Sequence, residues 1–177
     1  MTDPDLRPLY ERDPAVWHEH LAEGNARQAR KRVAADALIR DRYGRVLLVD
    51  PTYKPDWDTP GGMAEANEPP IDALRRELAE ELDLQLPERM TLVCVDWVAP
   101  HGPWDDLLTF IFDAGTLTSD EITTLRITDA ELAAFDFCTS DQAQKRLRPY
   151  VWARLAAAIT AADTGTVAYL HNGRPTP

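Results

Sequence analysis

The chain is 177 residues long, the size of one globular domain, with 44% hydrophobic and 28% charged residues, enough apolar material to bury a core. Its 30 acidic residues against 19 basic ones leave a formal charge of −11. A surface that acidic repels phosphate backbones and excludes a nucleic-acid polymer as partner. Two cysteines, Cys94 and Cys138, are too few for a disulfide framework.

No run approaches the roughly 20 apolar residues of a membrane helix. The opening MTDPDLRPLYERDP is polar and Pro-rich, without an apolar segment to act as a secretory signal. A cytoplasmic protein with no membrane partner is therefore expected. The first dozen residues read as a loose arm. A helix is predicted from Asp13 as N-cap, with Pro14 as first helical residue and Trp17, Leu21 and Val16 as a thin apolar side. The basic stretch Arg27 to Arg32 reads as the solvated end of that helix, its cations matching the negative pole of the dipole.

The core is predicted to begin at Val33. VAADALIR and RVLLVD read as two strands joined by the turn Asp41-Arg42-Tyr43-Gly44. The Pro- and Gly-dense loop PTYKPDWDTPGG then opens onto a helix of about 14 residues. Strand candidates MTLVCVDWVA and LLTFIFDAG follow, separated by a loop from Pro100 to Asp106. A short acidic segment and a strand around AAFDFC lead to Thr139, which has capping-box spacing with Gln142. The next helix is predicted to restart at Pro149 and run to about Ala162. The tail TVAYLHNGRP has strand character around an Asn-Gly turn. Mixed strands flanked by helices make an α/β layered fold. The expected organisation is an arm and helix over 1–32, a main domain over 33–162 and a tail with a short hairpin over 163–177.

The segment Pro60 to Leu84 carries the chemistry. Pro69 and Pro70 can sit only at a helix start, so the helix begins there. Ile71, Leu74, Leu78 and Leu82 fall within an arc of about 80°, one buried stripe. Glu77, Glu80 and Glu81 have the i, i+3, i+4 spacing that gathers side chains on a neighbouring face. Like charges so placed cost a helix a few tenths of a kcal/mol per pair. A hard divalent cation removes that penalty, taking carboxylate oxygens while keeping waters for substrate phosphates.

The wider spacing is more specific than the three acids. Gly62, five residues, Glu68, seven residues, then Arg76-Glu77-Leu78-Ala79-Glu80-Glu81-Leu82-Asp83-Leu84 resembles the Nudix box, matching eight of its nine specified positions. The lead-in Trp57 to Gly62 is also similar to that of many members, and the resemblance extends over roughly residues 33 to 160. It implies a Nudix-type α/β/α sandwich with a mixed sheet, here with an extra N-terminal helix and a C-terminal helix. It implies that Glu77, Glu80 and Glu81 hold one to three Mg²⁺ or Mn²⁺ ions, with the Gly62 carbonyl as a further ligand. Glu68 and Arg76 would be the supporting pair, and either Glu80 or Glu81 would orient the attacking water. Asp83 departs from the family's glycine; it has to adopt the left-handed conformation that ends the helix, at modest cost.

The implied reaction is hydrolysis of a phosphoanhydride in a nucleoside diphosphate linked to another group, of ADP-ribose, nucleoside triphosphate or nucleotide-sugar type. The partner is then a nucleotide-derived small molecule, and a homodimer is expected by analogy with relatives. A downstream ligand or base is sought among Glu121, Asp129 and Glu131, each of which also reads as a plain surface acid. Tyr53, Trp57 and Trp104 are candidates to stack on a base, or to pack under loops. Pro100 resembles a position in ADP-ribose-cleaving members, though a loop proline is usually a turn. Two rivals stand beside the hydrolase: a non-catalytic nucleotide-sensing module on the same fold, and an isopentenyl-diphosphate-isomerase-like enzyme.

Overall fold

The computed structural model describes residues 7–176 and divides the chain between Arg30 and Lys31 into two units. In the first unit the expected loose arm is in part helical. The Pro8 carbonyl accepts from the N–H groups of Glu11 and Arg12 and starts a single turn, α1 (Leu9–Arg12). Residues 1–6 of that arm lie outside the described residues. Helix α2 (Pro14–Arg27) starts as expected, with Asp13 Oδ1 accepting from Val16 N at 3.1 Å. It stops at Arg27, because Gln28 turns to an extended conformation. Arg27 and Arg30 keep the expected place at the helix end, Arg30 reaching back to the Asn25 carbonyl at 3.4 Å, whereas Lys31 pairs with Asp106 and Arg32 opens the first strand.

In the second unit the strands are β1 (Arg32–Arg40), β2 (Val46–Pro51), β3 (Gly61–Met63), β4 (Thr91–Val98), β5 (Leu107–Thr116), β6 (Leu132–Cys138), β7 (Ala168–His171) and β8 (Arg174–Pro175). They form one mixed sheet in the order β6-β2-β1-β5-β4-β7-β8, with β3 pairing β1 off that path. β1 runs parallel to β5 and β4 parallel to β7; the other pairs are antiparallel. The β1–β2 turn is tied by Asp41, whose carboxylate accepts from the N–H groups of Tyr43 and Arg45 and from the Arg45 guanidinium. Those bonds hold the Asp41 carboxyl below the ordinary carboxylate range, against its desolvation. The last two strands turn at Asn172-Gly173, both with positive φ, as a type I′ hairpin requires.

Helices cover both faces of this sheet. Ala35, Ala37 and Ile39 of β1 pack against α3 (Pro70–Leu82) through Leu74, Leu78 and Leu82, all fully buried, with Ile71 at the margin. α4 (Ser119–Thr124) lies in what reads as a short acidic segment; the Thr118–Glu121 capping box lets so brief a helix form. On the opposite face Leu38 and Leu48 join Cys94, Ile111 and Cys138 under α5 (Ser140–Arg146) and α6 (Pro149–Thr164). The Thr139–Gln142 box opens α5, and Pro149 opens α6 as the first helical residue. Both cysteines are buried and unpaired. Among the described residues no helix is long and apolar enough to cross a membrane.

Candidate active site

β3 is three residues long and its glycines are what the site requires. Gly61 pairs with Asp36 and Gly62 with Ala35. A Cβ on Gly61, at φ +144°, would stand 2.2 Å from the Ala35 carbonyl oxygen. A Cβ on Gly62 would stand 2.3 Å from Glu77 Cδ. The Glu77 carboxyl thus occupies the space a side chain at position 62 would need, which puts it directly against the β3 backbone.

Arg76 fastens this arrangement. Its Nε and Nη2 donate to the two carboxylate oxygens of Glu68, each at 3.0 Å, a bidentate pair. Nη2 also donates to the Met63 carbonyl at 3.1 Å, tying α3 to β3. Nη1 donates to Glu77 Oε1 at 3.0 Å and to Glu80 Oε2 at 3.3 Å. Glu68 further accepts from Glu65 N at 2.8 Å, so the loop before α3 is braced as well. The Arg76 bonds hold the Glu68 carboxyl below its ordinary range, and the Glu68 bonds drive the guanidinium above its own.

Glu81 has no such partner. Its Oε2 is buried and makes no hydrogen bond. Burial pushes its carboxyl up to about 7, and the carboxylates of Glu77, Asp129, Glu131 and Asp36 repel it further in the same direction. Glu77 is also raised, by burial first, with Arg76 opposing and Glu80 and Glu131 adding repulsion. Both groups are half-buried, Glu77 against the β3 backbone at Gly62. Glu80 is the open member of the three, its side chain 58% exposed.

The loop after α4 separates the three downstream acids. Thr128 N donates to the Glu81 carbonyl at 3.0 Å and Arg126 N to the Leu82 carbonyl at 3.1 Å, docking the loop on the C-terminal end of α3. Asp129 and Glu131 are thereby brought into electrostatic range of Glu81. Glu121 is not: its carboxylate accepts from Thr118 N and Oγ1 at the head of α4.

A cavity of about 350 Å³ opens beside Glu81, Gly62 and Met63 and runs between β1, β5 and the start of α6. Tyr53 and Trp104 stand on its wall, and Arg32 lies 4.6 Å from the Trp104 ring centre. Trp57 lies elsewhere: it packs with the α5–α6 core, with the Arg146 guanidinium 4.3 Å from its ring. Pro100 precedes the turn in which His101 and Trp104 exchange backbone hydrogen bonds. Asp36, Thr109 and Arg154 at the inner end have no sequence motif to announce them.

The cluster fits a divalent cation on two observations: an orphaned buried carboxylate oxygen on Glu81, and the absence of a side chain at Gly62 where Glu77 presses in. Among the described residues no three acidic, His or Cys groups converge on one point, and one oxygen each of Glu77 and Glu80 is turned onto Arg76. The donor set is therefore a few carboxylates on an open site, the kind Mg²⁺ accepts while keeping waters, rather than a closed cage.

The NUDIX domain model matches residues 30–159. No curated protein matches the chain. Among solved structures, a UDP-X diphosphatase superposes with a TM-score of 0.64 at 19% identity, covering 96% of this chain and 88% of that one. A MutT NUDIX hydrolase from Burkholderia pseudomallei gives 0.60 at 26% identity, over 73% of this chain and 98% of its own. An Ap4A hydrolase from C. elegans gives 0.56 at 19% identity, over 75% and 98%.

Proposed function

The chain belongs to the NUDIX family and is a hydrolase of that family; from that premise we propose a metal-dependent pyrophosphohydrolase that splits a nucleoside diphosphate linked to another group. The observation that carries this reading is the buried, unpartnered Oε2 of Glu81 beside the Glu77–Gly62 contact. A carboxylate oxygen without a hydrogen bond costs on the order of 1–3 kcal/mol and persists where a cation or a proton is its intended partner. Mg²⁺ or Mn²⁺ on Glu77, Glu80 and Glu81, with the Gly62 carbonyl, would neutralise diphosphate charge and acidify a bound water.

The chain's own residues do the rest. Arg76, held by Glu68, orients Glu77 and Glu80 and keeps β3 against the middle of α3. Either Glu80 or Glu81 would orient the attacking water, through whichever carboxylate oxygen the cation leaves free. Asp129, on the docked loop, supports the cluster in preference to Glu121. Tyr53 and Trp104 flank the cavity into which the nucleotide extends.

The test is release of phosphate or monophosphate from ADP-ribose, nucleoside triphosphates and nucleotide sugars, with Mg²⁺ and then with EDTA. Metal-dependent cleavage is expected, and Glu81→Gln should lower it at least about 100-fold, the scale of a lost acid–base group. The variant should stay folded, because the amide removes a buried charge. Full activity in Glu81→Gln would overturn the assignment. Nucleotide binding without turnover across the panel would favour the sensing module.

A further inference from the structure

The inner end of the cavity is built from polar groups that the phosphoanhydride chemistry does not use. Thr109 of β5 is 1% exposed, lines the cavity, and its Oγ1 has no hydrogen-bond partner. Arg154 of α6 is 5% exposed. Its Nε donates to Asp96 Oδ2 at 2.9 Å, while Nη1 stands 3.7 Å from Asp36 Oδ2. Among the described residues neither Nη group has a hydrogen-bond acceptor. Asp96 is fully engaged, accepting also from Gly173 N on both oxygens. Asp36 is only half engaged: Oδ2 accepts from Thr59 Oγ1 at 2.8 Å and Oδ1 is free among the described residues.

Charge decides what this end can hold. One guanidinium faces two aspartates, so the inner end carries no net positive charge and does not attract a phosphate. What it offers a ligand is a pair of N–H donors beside a carboxylate acceptor, plus one hydroxyl. A neutral group with a carbonyl next to an N–H satisfies both, the carbonyl taking the arginine donors and the N–H giving to Asp36. An edge with the reverse order, a ring nitrogen acceptor beside an amino group, leaves fewer of these groups paired, and an unpaired buried polar group is what selects most strongly.

We propose that Thr109, Arg154 and Asp36 are a base-reading site that selects nucleotides whose base carries a lactam edge, a ring carbonyl adjacent to a ring N–H. This rests on the hydrolase reading and names its substrate class. Guanine, hypoxanthine and uracil present that edge; adenine and cytosine do not. The cavity volume of about 350 Å³ suits one nucleoside with its phosphates directed to Glu81.

The experiment is calorimetric binding of GMP, IMP, UMP, AMP and CMP to the whole protein at pH 8, where Asp36, raised to about 7 chiefly by its burial, is an acceptor. Monophosphates hold no anhydride to cleave, so binding is read apart from turnover. GMP, IMP and UMP are expected to bind at least about tenfold tighter than AMP and CMP, the scale of one bidentate base contact. Thr109→Val, which replaces an unpartnered hydroxyl by a methyl, should weaken the first three about fivefold without lowering Tm. Equal binding of all five, binding of none, or a Thr109→Val protein with unchanged preference would overturn the proposal. Hydrolysis of GTP and ATP at one rate with no base preference would overturn it while leaving the hydrolase standing. Base preference without any metal-dependent hydrolysis would do the opposite.

Discussion

Two arginines organise this molecule, and they do so in opposite ways. Arg76 sits near the surface at the end of β3 and gathers Glu68, Glu77 and Glu80 from a stretch of thirteen residues of chain. Arg154 is buried under the sheet and gathers Asp96 and Asp36 from separations of 58 residues and more. The first network orients charges that must meet solvent, phosphate and a cation, so its carboxylates keep some exposure. The second lies inside, where Arg154 Nε and Gly173 N answer the buried Asp96, while the outer guanidinium donors and Asp36 face the cavity. The difference teaches that one kind of pair, guanidinium with carboxylate, is left open to solvent around Arg76 and is closed into architecture at Arg154 only where it meets Asp96.

The largest expected effect breaks this comparison directly. Arg154→Met removes the cation paired with Asp96, which is fully buried, and should cost about 3–5 kcal/mol of stability. Arg76→Met should cost about 1 kcal/mol or less, because its partners can turn to water, while metal-dependent turnover falls steeply. Urea unfolding and turnover measured on both variants check the contrast. An Arg76→Met protein as unstable as Arg154→Met would show that the two networks are alike, and the comparison would fail.

Next in size is Gly62→Ala. The new methyl would collide with Glu77, and the side chain or the strand must move, at about 1–3 kcal/mol. Turnover should drop with it, because the displaced carboxylate belongs to the proposed metal site. A Gly62→Ala protein with normal Tm and normal turnover would mean that the Glu77–Gly62 contact positions nothing.

The same contrast explains what could be read from the sequence. The α3 side was legible because its parts are local: two prolines start the helix, a leucine stripe sets its buried face, and the acids follow from 3.6-residue spacing. The β3 strand was missed because three residues, two of them glycine, carry no alternation, and α4 because six residues are too few for a period. The choice among Glu121, Asp129 and Glu131 needed the fold, since only the Thr118 cap shows that Glu121 is occupied locally, a capping-box spacing that could have been found. Asp36, Thr109 and Arg154 lie on three elements with no common spacing, so no motif search reaches them. Trp57 shows the converse: an aromatic in the right loop is carried away from the cavity by packing on Arg146 and α5.

The smallest expected effect concerns the end of α3, the one box position that departs from the family pattern. Asp83 takes φ 53° and ψ 32°, a left-handed conformation, and the N–H groups of Asp83 and Leu84 both close on the Leu78 carbonyl. This turns Leu84 into the core, where it is 6% exposed, and begins the chain's exit from the site. A non-glycine residue pays on the order of 1 kcal/mol for that conformation, Asp less than most. Glycine would remove the strain but lose more backbone freedom on folding, which returns roughly 0.5 kcal/mol. Asp83→Gly should therefore raise stability by about 0.5 kcal/mol or less, a Tm change of about 1–2 °C. Turnover should stay within about twofold, because the Asp83 side chain makes no hydrogen bond among the described residues, so only the backbone shape, which glycine preserves, bears on α3. A clear fall in Tm would show instead that the aspartate stabilises this helix end through its side chain, and that the departure from glycine serves the end of α3 rather than merely being tolerated there.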